Sequence, residues 1–116
     1  MKITNELQLD SGWIEITTDQ FDHHNNYILV YERSIQNVDC LISDDGYTLG
    51  EAHKFDIRLC EVDSIVFKGY LFRSTIRNNH TLGSFCCMEN RTATIEWLVS
   101  KMSEVFEMIK KKEKRI

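Results

Sequence analysis

"NRTATIEWLVSKMSEVFEMI", residues 90–109, is the stretch on which the fold turns. Ile95, Leu98, Val99, Met102, Val105, Phe106 and Ile109 recur every three or four residues. At about 3.6 residues per turn this spacing draws one apolar stripe along a helix. Asn90 is a residue type that caps helix N-termini, because its side-chain oxygen accepts an otherwise unpaired N–H. Some twenty residues at about 1.5 Å each make a helix of about 30 Å, long enough to lie across a sheet. The stripe is expected to bury Leu98, Met102, Val105 and Phe106.

Upstream of Asn90 the period changes to two. "WIEITT" sets Ile14 and Ile16 on one face, and "YILVYER" is apolar on both faces, as in a covered central strand. "VDCLIS", "FDIRLCEV", "IVFKGYLF" and "TLGSFCCM" read as further strands joined by short turns. Residues 1–9 fit a helical turn through Ile3 and Leu7, or a strand through Leu7 and Leu9. The expected fold is α+β: an antiparallel meander of five to six strands with a long C-terminal helix packed on one face. The 116 residues form a single domain, 1–116, with residues 110–116 as a basic helix end or tail.

Bulk composition narrows the function classes. The hydrophobic fraction of 42% supports a real core, and no apolar run approaches a membrane span. "MKITNELQLD" lacks the apolar middle of a signal peptide, so a cytoplasmic protein is expected. Cys40, Cys60, Cys86 and Cys87 have no zinc-ligand spacing and read as buried, reduced thiols. The net charge of −4 is unevenly divided: residues 1–66 hold 13 acids and 4 bases, residues 67–116 hold 5 acids and 10 bases.

Two short runs carry the residues of chemical interest. "FDHHNNYI" (21–28) and "ISDDGYTL" (42–49) hold Asp22, His23, His24, Asp44 and Asp45. Carboxylates and imidazoles together can hold a divalent metal, and Asp22, His24, Asp44 and Asp45 are the set a metal-dependent hydrolase or nuclease accessory would use. Yet adjacent histidines diverge on regular structure, and Asp-Asp-Gly between two apolar runs is hairpin-turn chemistry. Asp44 and Asp45 are therefore expected in a turn, with no metal, no cofactor and no catalytic residue. No phosphate-binding loop, serine elbow or Cys-His nucleophile pattern appears.

The same runs resemble the bacterial and prophage domain-of-unknown-function family 1828, through Asp22, His24, Asn25, Tyr27, Ile28 and Asp44 to Leu49. The resemblance spans about residues 14–50; "TDQF" (18–21) lacks the proline common in that family. It implies a setting among phage or mobile-element proteins near defence and counter-defence genes in a bacterial host cell, and no catalytic residue.

The expected function is accordingly non-enzymatic. The chain is read as binding and modulating a host protein, as a counter-defence inhibitor of a nuclease or CRISPR-type system would. The partner is expected to be a basic, nucleic-acid-binding protein met by Asp10, Glu15, Asp19 and Asp22, with Trp13 as an anchor. Trp97, Lys101, Glu104 and Met108 line the outer helix face, a second contact surface and the one through which a homodimer would form. A weaker alternative is nucleic-acid binding by Arg73, Arg77, Lys110, Lys111 and Lys112, against which the acidic body argues.

Overall fold

A computed structural model describes residues 1–35, 39–58, 61–62, 71–73 and 80–114. The strands are β1 (Ile3–Gln8), β2 (Ile14–Phe21), β3 (Tyr27–Ile35), β4 (Asp39–Ser43), β5 (Leu71–Arg73) and β6 (His80–Cys87). A helix α1 (Tyr47–His53) follows β4, and α2 (Arg91–Glu113) ends the chain. The sheet is antiparallel in the order β1-β2-β3-β4-β6-β5, so four strands run as a meander and β6 then enters beside β4. The α+β architecture read from the sequence is the one observed.

The two hydrophobic patterns meet in one core. Ile16, Val30, Cys40 and Ile42 stand on one sheet face, and every residue of the α2 stripe from Ile95 to Ile109 is buried with them. Arg91 fastens the start of α2 to the sheet, pairing with the buried Glu32 of β3 and with Glu6 of β1. Burial works against its charge, but the two carboxylates hold the guanidinium above its usual range. Residues 1–9 resolve as strand: β1 is mostly exposed and is kept by its ladder with β2.

One expected strand is corrected, and the hairpin expected at the Asp-Asp-Gly turn does not form. "YTL" begins α1, and "FDIRLCEV" is not a strand over residues 55–58. Here the chain closes α1 with a Schellman-type ending: Asp56 N–H donates to His53 O, and Ile57 N–H to Ala52 O. Asp56 takes a left-handed φ of 58°, a role in which aspartate is tolerated. Ile57, 1% exposed, packs beside buried Ala52, the apolar contact that accompanies such endings. The alternation of Phe55 and Ile57 thus belongs to a helix stop. Of "IVFKGYLF", Leu71 and Phe72 lie in β5 and residues 65–70 lie outside the described residues.

The thiols are not all buried as expected: Cys40 is buried, Cys86 is half-buried and Cys87 is exposed, and Cys60 lies outside the described residues. Cys40 and Cys86 face each other across β4 and β6, with Sγ atoms 2.8 Å apart. Burial first, then the Cys86 thiol, pushes Cys40 up to about 12.

Candidate functional site

The register of β3 creates an opening beside α1. β4 pairs with β3 only from Tyr31 to Ile35, because the chain leaves the sheet after Ser43. Residues 27–30 therefore have β2 on one side and no strand on the other, among the described residues. The phase of the ladder follows from two bonds. Ile28 O accepts from Thr18 Oγ1 of β2, and Asp44 N–H donates to Leu82 O of β6. Backbone groups alternate sides along a strand. Leu29 N–H and C=O accordingly point away from β2, along the free edge.

That edge borders a cleft of about 600 Å³, lined by Tyr27, Leu29 and Tyr31 from β3, and by Tyr47, Gly50 and Lys54 on the α1 side. The volume is within the range of ligand-binding clefts. Four carboxylates, Asp22, Asp44, Asp45 and Glu51, and one ammonium, Lys54, also border it, so its formal charge is negative. Phe21 and Tyr27 stack at 4.8 Å and are more than half exposed at one end of this edge.

Two turns hold the walls. Asp22 Oδ1 accepts from His24 N–H (2.8 Å) and Asn26 N–H (3.0 Å), and Oδ2 accepts from Tyr47 O–H at 2.6 Å. Burial would raise the Asp22 carboxyl, but these bonds hold it below its usual range. The Tyr47 hydroxyl is pushed up by burial and by that carboxylate. Asp44, fully buried, accepts three backbone N–H bonds: Gly46 and Thr48 at 2.9 Å, Leu82 at 3.0 Å. Burial pushes its carboxyl up, against those bonds. Asp44 thus ties the turn before α1 to β6. Asp45 (φ 57°) and Gly46 (φ 79°) both take left-handed conformations, so the Asp-Asp-Gly turn is real but joins a strand to a helix.

The alternative metal set of Asp22, His24, Asp44 and Asp45 does not come together among the described residues. Asp22 and Asp44 are committed to backbone and tyrosine donors, and the one group of potential ligands among the described residues is His23, His24 and Glu51. His23 and His24 do not diverge, because they lie in a turn instead of a strand. Their rings are 4.0 Å apart, and both Nε2 atoms reach Glu51 Oε1, at 3.0 and 2.7 Å. Lys54 Nζ takes Glu51 Oε2 at 2.6 Å. Burial alone would raise the Glu51 carboxyl; Lys54 and His24 hold it below its usual range. Sequence reading missed Glu51 and Lys54. Their spacing of three, on a face shared with Tyr47, was the available signal once α1 is taken as a helix.

The expected partner-binding residues are scattered. Asp10 sits in the exposed β1–β2 turn, Glu15 and Asp19 are half-buried along β2, and Asp22, 3% exposed, is part of the cleft wall and not of an open acidic surface. The eight residues of β2 at about 3.3 Å each separate Asp10 from Asp22 by more than 20 Å. Hydrogen bonds from Gln20 and from Lys2 N–H hold the Asp19 carboxyl low. Trp13 is half-buried, with the Arg33 guanidinium 5.7 Å from its ring centre. Trp97 and Met108 are half-buried against the core and do not form an open outer face; the α2 stripe is wider than the spacing suggested. Lys101 pairs with exposed Glu104 at 3.2 Å. Of the basic alternative, Lys110, Lys111 and Lys112 are the last turn of α2, Arg73 ends β5, and Arg77 lies outside the described residues.

No described helix is long and apolar enough to cross a membrane. Comparison with protein-family models, with curated proteins and with solved structures yields no match.

Proposed function

We propose that this chain is a non-enzymatic binding protein that takes an extended, basic segment of a partner protein as an added strand along the free edge of β3. One observation carries the reading: Leu29 presents edge backbone that no strand among the described residues pairs, at a cleft whose other wall is a helix. An open edge pairs readily with another chain, and strand addition between a strand and a helix is a recurring mode of peptide capture. Main-chain bonds supply affinity there, while Tyr27, Tyr31 and Tyr47 offer apolar contact to alternate side chains. The carboxylates around the cleft favour lysine and arginine in the segment. A basic segment suits the nucleic-acid-binding host protein expected from the charge split, and the resemblance over residues 14–50 suggests a counter-defence setting.

The test uses fluorescence anisotropy with capped octapeptides of alternating valine and lysine, alternating valine and glutamate, and the lysine peptide interrupted by proline. The basic peptide binds, binding weakens as salt rises, and the acidic and proline peptides bind at least tenfold more weakly. Equal binding of all three, or of none, contradicts the proposal.

A further inference from the structure

We propose that His23, His24 and Glu51 bind a single divalent cation of the zinc class, clamping the β2–β3 turn to α1. Two imidazole nitrogens and one carboxylate oxygen are the donor set that suits this class of ion, which in open sites keeps a fourth position for water or a further ligand. All three ligand atoms lie within 4.8 Å of one another. Donor atoms about 2.0–2.1 Å from a tetrahedral ion lie about 3.3 Å apart. The two Nε2 atoms are 3.0 and 2.7 Å from Glu51 Oε1 and the three donors spread over as much as 4.8 Å, so binding an ion opens each imidazole from Oε1 by a few tenths of an ångström and draws the two imidazoles together by about 1.5 Å.

The surroundings fix His23 and Glu51, and the half-exposed His24 ring is the ligand with room to move. The His23 side chain is fully buried, stacked on Phe106 at 5.2 Å and edge-on to Phe55 at 6.3 Å, so its ring is fixed. The Asp22 carboxylate holds the His24 backbone, and Glu51 is 8% exposed in its side chain. The His24 side chain, 48% exposed, marks the solvent side on which the fourth position falls. Lys54, 68% exposed, bonds only Oε2 and leaves Oε1 to the ion. His23 Nδ1 has no hydrogen-bond partner among the described residues. With Nε2 on an ion, Nδ1 keeps its proton without an acceptor, and second-ligand support of this kind normally strengthens a site. The expected affinity is therefore moderate.

The inference does not depend on peptide capture, although Glu51 borders the same cleft. The test takes the full chain, stripped with chelator, and titrates zinc sulfate by calorimetry and thermal melting. Cobalt is added in a parallel spectrum. One zinc binds, the melting temperature rises, and cobalt gives d–d bands without a thiolate charge-transfer band. His24→Ala, at an exposed side chain, and Glu51→Gln weaken zinc binding at least tenfold, while Cys87→Ser leaves it unchanged. No binding, binding retained in His24→Ala, binding lost in Cys87→Ser, or a cobalt–thiolate band overturns the assignment.

Discussion

Replacing Asp44 with asparagine removes one oxygen from a fully buried carboxylate that accepts three backbone N–H bonds. Oδ1 still accepts from Gly46 and Leu82, but the new amide nitrogen faces the Thr48 N–H that Oδ2 had bound at 2.9 Å. One charge-assisted bond, worth about 1.5–3 kcal/mol, is replaced by two opposed donors in a fully buried place. Burial disfavours the ionised carboxylate, so a neutral side chain recovers part of that cost. The net loss is set at about 2 kcal/mol, and at about 4 kcal/mol for Asp44→Ala, which abandons all three N–H donors. Urea unfolding followed by far-UV circular dichroism and by tryptophan fluorescence reads both variants. An unfolding free energy for Asp44→Asn within about 0.5 kcal/mol of the parent would refute the role given to this carboxylate in joining α1 to β6.

Phe106, 2% exposed beneath the His23 ring, should cost about 3–5 kcal/mol when cut to alanine, read by the same denaturation. Thiol alkylation near pH 8, mapped by mass spectrometry, should label exposed Cys87 rapidly and Cys40, held at about 12, only on unfolding. The Asp22 and Glu51 carboxyls are both below their unfolded values, so the folded state binds fewer protons there. Their stabilisation is complete above the ordinary carboxylate range near pH 4 and disappears as pH falls through their lower folded values. Asp22→Asn and Glu51→Gln should each flatten that acid limb in thermal melts; an unchanged limb contradicts the assignment.

The long α2 stripe was legible because seven buried positions keep one helical period over fifteen residues, from Ile95 to Ile109. Strands β2 to β4 were legible because Ile16, Val30, Cys40 and Ile42 alternate with more exposed neighbours. α1 was not, since seven residues show barely two turns and its ending imitates a strand through Phe55 and Ile57. That miss hid the site. Once Tyr47–His53 is helical, Glu51 swings towards the turn holding His23 and His24, which sequence spacing of twenty-seven and twenty-eight residues does not announce. The free β3 edge was equally hidden, because it depends on where β4 stops pairing, a property of register that no single strand carries.

Backbone amide hydrogen exchange at Leu29 tests the central claim most directly, measured by nuclear magnetic resonance with and without the alternating valine–lysine octapeptide. Leu29 N–H faces the open edge, so it should exchange freely in the isolated chain and become at least tenfold slower with the peptide bound. Ile28, whose backbone faces β2, serves as the internal reference and should change little. Slow exchange at Leu29 in the isolated chain, or peptide binding that leaves Leu29 unprotected, would contradict strand addition at β3.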